Sequence, residues 1–214
     1  MIKAIIFDLW GTLFYDDVKG KHPFKIFAER IGQDFEDYGY LKIFEKHLMQ
    51  EKHYNLEIPV RLILKELGIQ ANDKLISELI GLLKKKGVSP KPYPETMETL
   101  KELKRQNYKL GLVTNTFYHS YKRLNDKFKI DSLFDVILKS YETGILKPDP
   151  KIFKLMLKKL KVRKTEALMV GDSLEDDVKA AEKFGIKGIL VDRKNKYLNY
   201  ENRISSLEEL WRFL

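Results

Sequence analysis

The 214-residue chain contains no cysteine, so disulfides and thiolate chemistry are excluded, which fits a reducing compartment. No apolar run approaches the ~20 residues that a bilayer-spanning helix needs. The chain also starts straight into a strand-like segment, without a basic and apolar leader. A cytoplasmic protein with no membrane partner is therefore expected. Repeats and low-complexity tracts are missing, as are zinc-finger spacings and RNA-binding aromatic signatures. That last absence matters because the formal net charge is +9. Lysines recur along nearly every helical segment mixed with glutamates, which describes solvated faces. The densest run, Lys84-Lys85-Lys86, closes a helix expected from Asp73, where cations complement the helix dipole. No nucleic-acid partner is expected, and the positive field suits attraction of small anionic substrates. Abundant Lys and Glu without Cys also suits a hot environment.

Among the residues present, the stretch Phe7-Asp8-Leu9-Trp10-Gly11-Thr12-Leu13 is the most informative. Residues 2–7 form a short, nearly apolar run, as expected of a central parallel strand covered on both faces. Packing does not explain a charged Asp8 directly after it. Three other strand-like runs end in the same way. Residues 108–113 lead to Thr114-Asn115, residues 135–138 precede Lys147 in Leu146-Lys147-Pro148-Asp149-Pro150, and residues 167–170 lead to Gly171-Asp172. In an open parallel sheet, ligands bind beyond the carboxyl ends of the strands. Such a sheet would gather Asp8, Thr114, Lys147 and Asp172 into one crevice.

At these positions the chain resembles the haloacid dehalogenase superfamily, whose members are mostly phosphatases and phosphotransferases. The family pattern D-x-D-x-T falls on Asp8 to Thr12, its strand-end Ser/Thr on Thr114, its downstream Lys on Lys147, and its acidic motif on Gly171 to Asp177. The order is right and the match spans almost the whole chain. Trp10 departs from the pattern, since most phosphatases of the family carry a second Asp there.

The organisation fits an α/β protein with a Rossmann-like parallel sheet and an all-helical cap inserted after the first strand. Helical patterns cover residues 24–31, 35–51, 56–67 and 73–86, with Leu75, Ile76, Leu79, Ile80 and Leu83 at helical spacing in the last. A polar connection, residues 14–21, precedes them, and a Pro-rich linker, residues 87–94, follows. Residues 1–15 and 91–214 are expected to form the core, and 16–90 the cap. Residues 187–191 read as a fifth strand, Arg203-Ile204 as a short edge strand, and Ser205 or Ser206 as the start of a final helix.

The resemblance implies that the cap closes over the crevice and selects the substrate. It also implies Mg²⁺ held by Asp8, Asp172 and the backbone carbonyl of Trp10, with Asp176 and Asp177 binding metal-coordinated water or orienting Lys147. Oxygen-only ligands suit that ion. Asp8 is then the nucleophile on phosphorus, Lys147 and the metal neutralise charge, and Thr12, Thr114 and Asn115 hold phosphate or substrate. Tyr15, Asp16 and Asp17 lie near the site, where substrate contact and a solvated loop are equal explanations. His47 and His53 lack a metal-ligand pattern and read as surface residues.

Trp10 weakens one step. General acid–base help is worth ~10²–10⁴ in rate, and an indole N–H cannot accept a proton. Either turnover is slow or the leaving group needs no proton. Halide is such a leaving group, and 2-haloacid dehalogenases of the superfamily carry an aromatic residue here. Against that alternative, those enzymes use no Mg²⁺, and Asp172 adds an acidic charge that repels a haloacid carboxylate. They also place an Arg about thirty residues after the nucleophile, whereas Arg30 falls short and Gly39 lies near that spacing. A third alternative is a catalytically weak metabolite-binding or scaffold protein. Oligomeric state is not legible.

Overall fold

β1 (Ala4–Phe7) is buried along its whole length and sits at the middle of the molecule. The computed structural model describes residues 1–84 and 89–214. Lys85, Lys86 and the first two residues of the expected linker lie outside the described residues. After β1 come β2 (Phe14–Asp17), then α1 (Pro23–Arg30), α2 (Tyr38–Met49), α3 (Glu57–Glu66) and α4 (Asp73–Leu83), then β3 (Ser89–Pro92). Helices and strands then alternate: α5 (Thr96–Arg105), β4 (Lys109–Thr114), α6 (Tyr118–Phe128), β5 (Val136–Lys139), α7 (Ser140–Thr143), α8 (Pro150–Leu160) and β6 (Ala167–Gly171). A π-turn at Leu174–Lys179 leads into α9 (Ala180–Phe184), followed by β7 (Lys187–Val191) and β8 (Arg203–Ile204). The chain finishes in a 3₁₀ helix, Leu207–Phe213, whose cap is Ser206 accepting from the Glu208 N–H.

Six strands form one parallel sheet in the order β5-β4-β1-β6-β7-β8. Side chains alternate across it with the period of two that a strand imposes. Ile5 and Phe7 face a cluster with Leu100, Leu103, Leu110 and Leu112, while Ala4 and Ile6 face Ile152, Phe153, Met156 and Met169. Both faces are therefore covered by helices, as the near-continuous apolar run of residues 2–7 requires. The fold is the expected α/β Rossmann-like one.

The helices α1–α4 bury their own apolar stripes, including Phe27, Tyr40, Phe44, Val60, Ile63 and Leu79, against one another and against Phe117 of the core. They form the helical cap. Its helix starts are set by side chains that accept orphan backbone N–H groups. His22 accepts from Phe24, Asp37 from Tyr40, and Asn72 from Leu75. Asp37 starts α2 at Tyr38, later than the pattern beginning at Phe35 implies.

The two connections between cap and core differ from expectation. β2 and β3 pair antiparallel, Phe14 with Pro92 and Asp17 with Ser89, so both crossings run through one short ribbon. The Lys91–Asp17 ion pair (2.6 Å) and the Tyr15–Tyr93 ring contact (4.9 Å) fasten it. A proline normally forbids a central strand, but a two-stranded ribbon has an open edge on each side where its missing N–H costs nothing.

Candidate active site

Register brings the polar strand ends together. Phe7 pairs with Leu112 on one side and Val170 on the other, and the Asp8 N–H donates to the Val170 carbonyl at 2.9 Å. Asp8, Thr114 and Asp172 consequently emerge beside one another. Gly11 then turns the chain at φ +83°, a conformation that favours glycine. The Asp172 carboxylate occupies the space a side chain at Gly11 would need, and the Asp177 carboxylate does the same at Gly171. The Thr12 hydroxyl donates to Asp8 Oδ2 at 3.2 Å and reaches Asp172 Oδ1 at 3.5 Å.

Lys147, only 3 % exposed, enters from the loop between α7 and α8. Its Nζ stands 2.5 Å from Asp8 Oδ1 and 2.5 Å from Asp177 Oδ1. The Asn115 side chain clasps its backbone, accepting from the Lys147 N–H at 2.9 Å and donating to the Lys147 carbonyl at 3.1 Å. Asp177 is anchored in turn by the Ser173 N–H at 3.1 Å.

Oxygens of Asp8, Asp172 and Asp177 lie within 4.8 Å of one another. Three carboxyl groups and one ammonium make up the cluster, so its full ionisation would leave excess negative charge. Burial opposes the charge on Lys147, but Asp177 and Asp8 outweigh it and hold the amine above the usual lysine range. Burial, and then the neighbouring Asp8 charge, pushes the Asp172 carboxyl well above the carboxylate range. Protein surrounds Asp172 on most sides, yet its side chain reaches solvent at the crevice mouth. Burial raises Asp177 also, against the pull of Lys147. Such a set, oxygen-only and short of positive charge, fits a hard divalent cation.

Thr114 is buried, and its Oγ1 has no hydrogen-bond partner among the described residues. A buried hydroxyl left this way is ready for a ligand oxygen. The two neighbouring acidic residues separate cleanly. Asp177 orients Lys147, whereas Asp176 turns to the cap, accepting from Tyr38 Oη at 3.1 Å and Lys42 Nζ at 2.7 Å. Of the two residues expected either to orient Lys147 or to bind metal-coordinated water, Asp177 is the one in contact with Lys147. The Asn115 amide is taken up by Lys147 and by Glu45 Oε2 (3.2 Å), and no substrate contact is required to satisfy it. Asp16 sits 3.3 Å from His22, so the residues Tyr15 to Asp17 serve the ribbon and its exit. Arg30 pairs with Glu78 and His47 with Glu66, both on the cap surface.

Several contributors were not anticipated. Tyr38, Lys42 and Glu45 lie at i, i+4 and i+7 on α2, one helical face turned to the core; that spacing was the available signal. Trp10 donates its indole N–H to Thr116 Oγ1 at 3.1 Å, and Thr116 is itself held by Ser140. Arg193 stacks 3.6 Å over the Tyr93 ring, pairs with Glu95 at 2.8 Å, and donates to the Thr12 carbonyl at 2.9 Å. It braces the loop carrying Gly11 and Thr12 from outside the recognisable motifs.

This combination of sheet, cap and strand-end acids defines a hydrolase class. A family model of haloacid dehalogenase-like hydrolases matches residues 2–185, and the chain belongs to that family. It is 29% identical to the glyceraldehyde 3-phosphate phosphatase of Methanopyrus kandleri, over 95% of this chain and 89% of the other. In fold it resembles a haloacid dehalogenase-family phosphatase from Thermococcus onnurineus (TM-score 0.63, 24% identity, 99% of this chain and 97% of that one). It equally resembles a 2-haloacid dehalogenase from Pseudomonas syringae pv. Tomato (TM-score 0.64, 22% identity, 99% and 97%). Fold likeness therefore does not separate the two chemistries. Among the described residues no helix is long and apolar enough to cross a membrane.

Proposed function

We propose that this enzyme is a Mg²⁺-dependent phosphatase of small phosphorylated metabolites. The observation that carries the reading is the gathering of Asp8, Asp172 and Asp177 around a single lysine. A haloacid carboxylate would meet repulsion there, whereas a phosphate ester accompanied by a divalent cation would balance the charge. The naming of the Methanopyrus relative as a phosphatase points the same way, and glyceraldehyde 3-phosphate is the first substrate to try.

Asp8, Asp172 and the Trp10 carbonyl would hold the ion, which when bound neutralises charge on the phosphoryl group. Lys147 locks Asp8 Oδ1, so the freer Oδ2, touched among the described residues only by the Thr12 hydroxyl, is the nucleophile. An ammonium has three hydrogens, and two of those on Lys147 serve Asp8 and Asp177. The third is available to a phosphoryl oxygen, and the Thr114 hydroxyl to another. Attack by Oδ2 gives an aspartyl-phosphate with departure of the alcohol, and water then attacks phosphorus and frees Asp8. The Trp10 indole, tied to Thr116, supplies no carboxyl for these proton transfers.

A substrate panel with and without Mg²⁺, followed for both phosphate and halide release, tests the proposal. Mg²⁺-dependent phosphate release without halide is expected. Halide release in excess chelator would establish dehalogenation instead.

A further inference from the structure

We propose that Glu45, delivered by the cap helix α2, is the general acid and base that this active site lacks at Trp10. The inference rests on the phosphatase reading and concerns the fate of one proton. In an in-line displacement the leaving oxygen lies on the far side of phosphorus from the nucleophile. Helix α2 contacts both Asp176 and Asn115 beside the end of β1, so the proposal puts the leaving oxygen on the side of the crevice that the cap covers. Glu45 is the cap carboxylate that touches the catalytic loops, through the Asn115 amide that clasps Lys147.

Lys42 of α2 lies 2.9 Å from Glu45 Oε2, and Asn115, beyond β4, contacts the same oxygen. Asp176 from the π-turn and Lys147 are the further charges it feels. Among the described residues Oε1 makes no hydrogen bond. Asp176 is a poorer candidate, because Tyr38 and Lys42 engage one of its oxygens each. With 19 % of its side-chain surface exposed, Glu45 is largely withdrawn from water. Burial pushes its carboxyl up, more than Lys42 pulls it down, which favours a proton being present for donation.

Asp8 Oδ2 forms a bond to phosphorus while the ester P–O bond breaks, and the Glu45 proton passes to the departing alkoxide. Water then attacks the aspartyl-phosphate, its proton returns to Glu45, and the P–O bond to Asp8 breaks. Cap opening would carry Glu45 away and expose the crevice for exchange.

The test measures kcat for glycerol phosphate and p-nitrophenyl phosphate, with Mg²⁺, in wild type, Glu45→Gln and Lys42→Met. An alkoxide needs the proton and a nitrophenolate does not. Glu45→Gln should lower turnover of the alkyl ester by about 10²-fold or more, and that of the aryl ester far less. It should also remove the alkaline limb of the alkyl-ester pH profile. Lys42→Met breaks the same ion pair but keeps the carboxyl, so it should lower both esters alike. An equal fall on both esters in Glu45→Gln, or the same ester-selective loss in Lys42→Met, would reduce Glu45 to a cap fastening and overturn the proposal. Wild type that releases phosphate from neither ester nor from glyceraldehyde 3-phosphate would overturn the phosphatase reading, and this one with it.

Discussion

Lys147 is shared between Asp8 and Asp177, at 2.5 Å from an oxygen of each, with all three groups buried. Removing the ammonium leaves two buried carboxylates facing each other without compensation. Lys147→Met should abolish turnover and destabilise the fold by about 3–5 kcal/mol, roughly 6–20 °C in the melting midpoint. Adding Asp177→Leu should recover much of the stability and none of the activity. Thermal melts beside a turnover assay check both. Recovery of activity would show that Lys147 does no chemistry.

The metal-free protein should become less stable as pH rises. Burial, and then Asp8, raises the Asp172 carboxyl above its unfolded value. The folded state therefore binds more protons than the unfolded one, starting at about pH 4 and continuing up to the raised value. Stability falls across that window and levels off above it. Mg²⁺ compensates the ionised cluster, so the rise in melting temperature on adding Mg²⁺ should grow from about pH 5 to about pH 8, across that window. A rise independent of pH would mean that the ion does not bind at these carboxylates.

The role of Asn115 can be read from a split in the kinetic constants. If its side chain positions Lys147, Asn115→Ala should lower kcat by about 10²-fold and change KM little, because misplacing a catalytic group acts on the transition state. A rise in KM at unchanged kcat would instead assign the side chain to substrate binding.

Much of the site was legible because strand ends are marked in sequence by a change from apolar to polar residues. Asp8, Thr114 and Asp172 each follow a buried run, and the parallel register does the rest. The division of labour between Asp176 and Asp177 was not legible. The two are adjacent, and the π-turn decides which way each points: the Val178 N–H bonds the Ser173 carbonyl five residues back, at 3.2 Å. The ribbon was hidden for another reason, since Ser89-Pro90-Lys91-Pro92 carries two prolines and reads as a linker by composition. Glu45 was invisible because a lone acidic residue on a helix acquires meaning only from what lies opposite, here Asn115.

Trp10 and Glu45 should be coupled. Trp10→Asp restores a carboxyl near the leaving oxygen, so in the Glu45→Gln background it should raise alkyl-ester hydrolysis at least about 10-fold. In wild type the gain should be smaller, because Glu45 already supplies the proton. Trp10→Asn controls for the space vacated by the indole. Equal recovery with Asn and Asp would assign the effect to volume, and no recovery would separate Trp10 from the proton path.

The central claim is that Asp8 carries the phosphoryl group. Rapid acid quench of the enzyme turning over glyceraldehyde 3-phosphate, followed by peptide mass spectrometry, tests it directly. The account predicts one phosphoryl group on the peptide containing Asp8, formed only with Mg²⁺ and absent in Asp8→Asn. Phosphate release that persists in Asp8→Asn, or a haloacid-derived ester on Asp8 formed in excess chelator, would contradict it.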